Sequence, residues 1–250
     1  MKVGIVVPTL GSRINYLHEC LMSVRRAGVA HICVVAPVGV DLSSLFDAGL
    51  VDHVIEDPRS GLAAAIDAGL RSFPPEISFV NWIGDDDILT ENSLDLTSHF
   101  LDTHPDVDLV FGSCRYIDEL GRLIWTNRSG KWAIRLMRFG PCLIPQPGSL
   151  FRRTKYAEVG GLDFRYKWAF DFDLFIKISK SGKLAYLPME LAAFRWHPGS
   201  LSVGGRAGSV REASSIRRLH LPVWLRCIAS IWERPVQIAT QLAGRLISLR

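Results

Sequence analysis

The chain has 250 residues, 48% of them hydrophobic, and a formal net charge of +4, which is enough apolar material for one large domain or two small ones. Five Cys without a C-x-x-C pair argue against a disulfide framework or a zinc site and favour a reducing compartment. The sequence shows no signal-peptide cleavage site and no apolar run of membrane-spanning length, so we expect a cytoplasmic protein.

The positive charge is concentrated in the last part of the chain. From Arg206 onward, the sequence contains eight Arg, two Glu and no Lys or Asp. This segment therefore carries a net charge of +6, whereas the rest of the chain carries −2. A near-neutral body with a basic tail favours an acidic surface as the partner of the tail and argues against a nucleic-acid-binding domain.

The first third of the sequence alternates between strands and helices. Short apolar runs that stop at Pro or Gly are typical of buried strands. Strands are predicted at residues 3–7, 31–35, 54–55 and 79–83, with helices around residues 14–28 and 61–70. This alternation predicts a Rossmann-like α/β fold, with a mainly parallel sheet and helices on both faces. Neither a dinucleotide-binding G-x-G-x-x-G motif nor a P-loop is present.

Three consecutive carboxylates follow the strand at residues 79–83. Two charges about 6 Å apart repel by roughly 2–3 kcal/mol at an effective dielectric constant near 20, so Asp85, Asp86 and Asp87 need a compensating partner. A hard divalent cation is a suitable one, and the carboxyl end of a parallel strand is where α/β proteins bind ligands. The alternative is that one Asp caps the next helix, but Thr90 is predicted to serve as that cap.

The second half of the body is less regular. A helix around residues 94–101 and a strand at 109–112 precede a long excursion at 118–147, which is typical of a loop that covers a substrate site. A helix is predicted to begin near Asp171, and a late strand is predicted at 184–187. Gly204 and Gly205 are the best candidates for a linker.

Two amphipathic helices are predicted in the basic tail, at residues 222–232 and 235–249, each with Pro in its first turn. Basic amphipathic helices bind anionic membrane surfaces. One interpretation therefore places the tail on the inner face of the plasma membrane as a peripheral anchor. The other places the helices against the body or a dimer partner.

An ordered set of motifs resembles the family-2 glycosyltransferases, which have the GT-A fold and invert the configuration of the transferred sugar. The matching segments are the first strand and its turn (6–10), a Gly-rich helix (61–69), the acidic strand end (83–87), a strand and turn (108–112 and 117–121), two acceptor-side turns (146–148 and 160–163), an acidic pair region (171–174) and a late His197 with Ser200 and Ser202. The resemblance covers residues 2–203. We therefore predict a GT-A domain at 1–203 and a helical tail at 206–250.

The resemblance implies the transfer of a sugar from a nucleoside-diphosphate sugar to a hydroxyl group of a glycan or lipid-linked acceptor, in surface polysaccharide synthesis, with Mn²⁺ or Mg²⁺ as cofactor. It also implies roles for individual residues. The metal ligands would be Asp86, Asp85, Asp87 and His197, and the donor would contact Pro8, Thr9, Arg59, Asp67 and Asp85. Asp171 would be the catalytic base, enclosed by aromatic neighbours that raise its pKa. The acceptor would contact Trp132, Gln146 and Asp173, and Trp125 is a further candidate.

Several of these roles have structural alternatives. The alternative for Asp171 is a helix cap. For His197 and Arg59 the alternative is a position on the surface, and for the Trp residues it is core packing. Two departures from the family pattern also matter. Residues 36–38 replace the acidic residues that usually read the donor base, and Gly84 occupies the first position of the D-x-D motif in one register. The alternative functions are a nucleotidyltransferase acting on a sugar phosphate and a non-catalytic protein that binds nucleotide or membrane.

Overall fold

The computed structural model describes residues 2–137, 139–197, 199–200, 205–229, 231–233, 235–236, 238 and 242. Its first part is the predicted alternation of strands and helices. The strands are β1 (Val3–Pro8), β2 (Ala30–Ala36), β3 (His53–Glu56) and β4 (Phe79–Trp82), and the helices are α1 (Ile14–Ala27), α2 (Ser43–Asp47) and α3 (Leu62–Ser72). All three strand pairs in this part are parallel.

The second part adds antiparallel strands to the same sheet. Its elements are β5 (Ile88–Leu89), α4 (Ser93–Thr103), β6 (Leu109–Ile117), β7 (Leu123–Asn127), α5 (Trp132–Leu136), β8 (Ser149–Arg152), α6 (Arg153–Glu158), α7 (Phe170–Ser181) and β9 (Leu184–Arg195). The strand order is β3-β2-β1-β4-β8-β6-β9-β5, with β7 paired to β6. The predicted excursion at 118–147 therefore contains the β6–β7 turn, β7 and α5, and the late strand is longer than predicted.

Helices cover both faces of the sheet, as predicted. Successive strand residues point to opposite faces, and in β1 Val6 packs in one buried cluster while Ile5 and Val7 pack in the other. Apolar residues of α3 and α7 belong to the Val6 cluster, and those of α1 and α4 belong to the other. The packing is close, since a Cβ on Gly69 of α3 would lie 2.6 Å from Val6 Cγ1.

The predicted cap of α4 is wrong. The helix begins at Ser93, and its cap residue is Asn92, with a left-handed φ of 60° and no side-chain cap hydrogen bond. Thr90 Oγ1 is buried and has no hydrogen-bond partner within the described structure. Thr90 instead fixes the turn through its carbonyl, which accepts the Ser93 N–H.

The first helix of the tail, α8 (Arg206–His220), packs on the body, and a short helix, α9 (Val223–Arg226), follows it. Ile216 is fully buried in the same cluster as Phe175 of α7. Gly205 and Gly208 lie against the Trp168 indole, and a Cβ on Gly208 would lie 2.4 Å from its Cζ3. These contacts make α8 a part of the folded body. Within the described part of the chain, no helix is long and apolar enough to cross a bilayer.

The burial of Ile216 predicts a strong dependence of stability on α8. Ile216→Ala should lower the free energy of unfolding by about 2–5 kcal/mol, because it leaves a cavity in the core. Leu219→Ala is the matched control, since Leu219 lies on the same helix with 49% of its surface exposed. Thermal unfolding measures both variants. Equal melting temperatures for Ile216→Ala and the wild type would show that α8 is detached from the core.

Candidate active site

The candidate site lies where β1 and β4 end side by side. Because these strands are parallel neighbours, the residues after them meet at one edge of the sheet. Thr9 Oγ1 donates a 2.6 Å hydrogen bond to Asp85 Oδ2. Pro8, the last residue of β1, precedes Thr9, whose N–H is held by the carbonyl of Val35 in β2. The structure thus brings together two predicted donor-binding residues that lie far apart in the sequence.

The turn after β4 is tight. A Cβ on Gly84 would lie 2.8 Å from Asp86 Oδ1 and 3.1 Å from Asp87 Oδ2. A larger residue would therefore displace the two carboxylates that follow. Glycine at this position allows the acidic residues to fold back against the turn, which accounts for the departure of Gly84 from the D-x-D pattern.

An arginine that the sequence analysis missed lies between the carboxylates. Arg13 Nη2 donates to Asp85 Oδ1 and its Nη1 donates to Asp86 Oδ2, each at 2.8 Å. His197 Nε2 lies 2.8 Å from the same Asp86 oxygen. A sequence signal for Arg13 existed, because it directly precedes the first apolar residue of the predicted helix, where Ser, Thr, Asp and Asn are favoured as caps.

Asp87 has a different set of partners from Asp85 and Asp86. Its Oδ1 accepts the backbone N–H of Arg195, at the end of β9, at 2.9 Å. The Arg195 side chain, also missed by the sequence analysis, donates to the Asp86 carbonyl at 2.9 Å and to Glu19 Oε2 at 2.7 Å. Burial raises the pKa of Asp87 well above its usual range, and the charge of Asp86 raises it further. Asp87 therefore links the acidic turn to β9.

Burial also raises the pKa of Asp85. The hydrogen bond from Thr9 and the positive charge of Arg13 oppose this shift. The environment of Asp85 thus combines a cost of desolvation with two compensating contacts, which is typical of functional sites.

A divalent cation at the acidic turn would need several oxygen or nitrogen ligands. Among the described residues, no three His, Cys, Asp or Glu side chains are grouped as a metal centre. Asp86 Oδ2 and His197 Nε2 do converge, and the guanidinium of Arg13 is a cation that already bridges Asp85 and Asp86. Mg²⁺ is usually bound by one or two carboxylates together with substrate phosphates and water. The residues present fit a cation of that kind.

Asp171 lies in the first turn of α7 and is partly exposed. Burial raises its pKa to about 6, against the opposing effect of a 2.7 Å hydrogen bond from the Phe172 N–H. Phe170 and Phe172 are both buried, so the predicted direction of the pKa shift is confirmed. Burial raises the pKa of Cys142, in the loop before β8, and the charge of Asp171 raises it further.

The segment before α7 is fixed by α8. Glu212 accepts the backbone N–H groups of Lys167, Trp168 and Ala169 at 2.8–3.0 Å. A carboxylate at a helix N-terminus is favoured by the free N–H groups and by the helix dipole. The sequence analysis missed Glu212, because the cap comes from a helix more than 40 residues away in the sequence.

Asp173 is buried between α7 and α8. Its carboxylate forms an ion pair with Lys177 at 2.8 Å and a 3.1 Å contact with His220 Nε2. Its oxygens are therefore directed to partners within the protein.

Two predicted donor residues lie apart from the acidic turn. Asp67 is buried and accepts a 2.6 Å hydrogen bond from Tyr156 Oη and a 2.5 Å hydrogen bond from Arg71 Nε. Arg59 is exposed, with a left-handed φ of 55°. No hydrogen bond or ion pair of the described residues connects either side chain to the Asp85 carboxylate.

The predicted acceptor contacts differ in exposure. Gln146 Nε2 donates to the Trp82 carbonyl at 2.8 Å and to Asn81 Oδ1 at 3.0 Å, so it attaches the loop before β8 to β4. Trp132 on α5 is 63% exposed, and Trp125 on β7 packs beside the Tyr116 ring at 5.1 Å.

Solved structures with the same fold were found, although no protein-family model and no curated protein sequence matches the chain. S. aureus TarS is 16% identical, with a TM-score of 0.63 over 88% of this chain and 39% of TarS. The TarS 1–349 structure in complex with UDP has the same identity and TM-score and is matched over 65% of its length. The chain thus spans about two fifths of the TarS chain.

A second relative in structure is the mannosyltransferase PcManGT from Pyrobaculum calidifontis, in complex with GDP-Man and Mn²⁺. It is 15% identical, with a TM-score of 0.64 over 98% of this chain and 75% of that chain. Similarity at this level of identity establishes a common fold. The predicted fold class, an α/β fold of the glycosyltransferase type, is therefore confirmed.

The raised pKa of Asp171 predicts a pH-dependent stability difference. The folded state holds this proton more tightly than the unfolded state, whose pKa is near 3.8, so ionisation of Asp171 destabilises the fold as pH rises from about 4 to about 6. Asp171→Asn should therefore be more stable than the wild type by about 1–3 kcal/mol at pH 7.5. The difference should shrink below pH 5, as measured by chemical denaturation.

Asp95→Asn is the matched control, because Asp95 lies in the first turn of α4 and is exposed. Its substitution should give no gain in stability at pH 7.5. A stability difference for Asp171→Asn that is equal at pH 5 and pH 7.5 would contradict the assignment of the raised pKa.

Proposed function

We propose that this protein is a glycosyltransferase that moves a sugar from a nucleoside-diphosphate sugar to a hydroxyl group of an acceptor. The observation that carries the proposal is the convergence of Thr9, Asp85, Asp86 and His197 at the ends of adjacent strands. The fold shared with a mannosyltransferase that was solved with GDP-Man and Mn²⁺ supports it. A protein that only binds nucleotide would have no use for the half-buried Asp171 carboxylate.

The donor diphosphate is assigned to the acidic turn. Asp86, Asp85 and His197 would hold a Mn²⁺ or Mg²⁺ ion, which stabilises the negative charge that develops on a leaving nucleoside diphosphate. Thr9 fixes Asp85 in its observed orientation, and Pro8 ends β1 beside it. Since residues 36–38 carry no acidic side chain, the donor base needs other contacts. Asp67 is the proposed residue for the nucleotide pocket, and Arg59 the proposed contact to a phosphate.

Asp171 is the proposed base. An inverting transfer needs a group that removes the proton of the acceptor hydroxyl on the face opposite the leaving group, and such a group contributes typically 10²–10⁴-fold in rate. A carboxylate with a pKa of about 6 is ionised at neutral pH and is a stronger base than an ordinary Asp. Partial exposure of Asp171 leaves it accessible to an acceptor.

A glycan or lipid-linked glycan, as used in surface polysaccharide synthesis, is the proposed acceptor. The exposed Trp132 offers an aromatic face of the kind that packs against sugar rings. Trp125 offers a second such face. Gln146 holds the neighbouring loop against β4, and Asp173 anchors α7 to α8. These two residues would thus support the acceptor side from within the protein.

Nucleotide binding tests the donor site. Calorimetry with UDP, GDP, dTDP and CMP, each with and without Mn²⁺, should show one nucleoside diphosphate whose binding requires the metal. Asp86→Asn should weaken that binding at least tenfold, whereas Asp102→Asn, at an exposed site on α4, should not. Absence of metal-dependent binding for all four nucleotides would contradict the proposal. Pyrophosphate release from a nucleoside triphosphate would favour a nucleotidyltransferase.

A sugar-transfer assay, run beside the calorimetry, separates binding from chemistry. Asp171→Asn should keep the nucleotide affinity of the wild type and lose transfer by 10²-fold or more. In the wild type, transfer should fall tenfold per pH unit below about pH 6, as Asp171 becomes protonated. Normal turnover of Asp171→Asn would place the base elsewhere, and binding without any turnover in the wild type would favour a non-catalytic protein.

The end of the tail is proposed to bind the inner face of an anionic membrane. Trp224 on α9 and Ile231 after it are each 71% exposed, in a segment with an excess of Arg. Exposed Trp and Ile beside Arg are the features of interfacial anchors. The predicted helix at 235–249 lies largely outside the described residues and adds no structural support.

Sedimentation with vesicles that contain phosphatidylglycerol tests this anchor. The full chain should sediment with the vesicles, and Trp224→Ser combined with Ile231→Ser should reduce the bound fraction several-fold. Leu120→Ser is the control, because Leu120 is equally exposed on the β6–β7 turn. Equal binding of the double variant and the wild type would exclude a membrane role for these residues.

A further inference from the structure

The guanidinium of Arg13 occupies the position in which Asp86 and His197 converge. Arg13 Nη1, Asp86 Oδ2 and His197 Nε2 form a triangle with sides of 2.8, 2.8 and 2.9 Å. The Gly199 N–H donates to His197 Nδ1, which assigns the ring hydrogen to Nε2 and makes this atom a donor to Asp86. Two donors, Arg13 Nη1 and His197 Nε2, therefore face each other across the third side of the triangle.

The local chain does not favour a cation at this position. Arg13 is the cap residue of α1, where the helix dipole is unfavourable to positive charge. The contacts that hold the guanidinium are its ion pairs with Asp85 and Asp86. The side chain is 33% exposed, so it has a route to solvent. The Arg13 side chain is therefore held by the two carboxylates and remains accessible to solvent.

We propose that Arg13 is a built-in counter-cation of the Asp85–Asp86 pair, which competes with the divalent cation for the same carboxylate oxygens. In the absence of metal, the guanidinium pairs with both buried carboxylates and offsets one of their two negative charges. When metal and a nucleoside diphosphate bind together, Arg13 gives up Asp86 Oδ2 and donates instead to the new anionic oxygens. Only the last step rests on the proposed function.

This competition links metal binding to nucleotide binding. Metal alone has to displace the guanidinium without offering it another anion, so its binding is weakened. Metal with a diphosphate supplies Arg13 with a new partner, so the two ligands strengthen each other's binding, and the coupling is reciprocal. An acidic site without Arg13 would bind metal whether or not the donor is present.

Mn²⁺ affinity without nucleotide tests the proposal on the full chain. Electron paramagnetic resonance of free Mn²⁺ measures it directly. Arg13→Met should bind Mn²⁺ at least tenfold more tightly than the wild type, because no internal cation competes. Arg25→Met is the matched control, since Arg25 lies on the same helix and pairs with Asp52; it should leave Mn²⁺ affinity unchanged. Unchanged or weaker affinity in Arg13→Met overturns the proposal.

A second measurement covers the case in which Arg13→Met does not fold. Arg13→Lys keeps the charge but loses the fork that bridges two carboxylates, and it should bind Mn²⁺ with an affinity above that of the wild type. The gain in Mn²⁺ affinity on adding UDP or GDP should be smaller in both variants than in the wild type. If Arg13→Lys matches the wild type in Mn²⁺ affinity, the proposal fails.

The Mn²⁺-binding result can be distinguished from the result of the transferase test. Mn²⁺ binding is measured without a donor sugar and without turnover, so a loss of the transferase assignment leaves the competition intact. Conversely, a wild type that binds Mn²⁺ tightly by itself and transfers sugar would overturn the role of Arg13 while keeping the proposed function.

Discussion

Three consecutive carboxylates are buried in the turn after β4, and the surrounding structure is arranged to compensate them. Burial of a charge without partners is costly, and the three carboxylates receive partners from several elements. Thr9, from the end of β1, and Arg13, from the start of α1, reach Asp85. His197 reaches Asp86, and the backbone of β9 reaches Asp87. The acidic turn thereby connects the start of α1 and the end of β9 to the ends of β1 and β4.

A second constraint acts on the helix that carries Asp171. The backbone N–H groups just before the helix need partners, and Glu212 of α8 caps this segment by accepting those of Trp168 and Ala169. Burial of Ile216 and the close approach of Gly208 to Trp168 hold α8 in register with this cap. The helix that begins the basic tail is therefore part of the support of the candidate base. The charge of Glu212 also raises the pKa of Asp171, as a smaller effect than burial.

The sequence was sufficient to predict the strands of the parallel part, the helices on both faces and the position of the acidic turn. These features depend on local periodicity and on a run of like charges, which are visible in a single sequence. Arg13, Arg195 and Glu212 were not predicted. Each acts through contacts between residues that are 40 or more positions apart, and such pairs are defined by the packing of the sheet. The predicted cap of α4 was wrong for another reason, because Thr90 is held in the preceding turn by its carbonyl.

The two arginines beside the acidic turn differ in a way that bears on function. Arg195 is 2% exposed, donates to the carbonyls of Asp86 and Glu119 and to Glu19, and stacks on the Tyr16 ring at 4.5 Å. Removing it would break contacts with several elements at once, so it acts as a permanent part of the fold. Arg13 is one-third exposed and is held by carboxylates that a metal ion would also bind. The acidic turn thus contacts two cations. Arg195 is fixed on its backbone side, whereas Arg13, on its carboxylate side, is exchangeable, and only Arg13 can respond to a ligand.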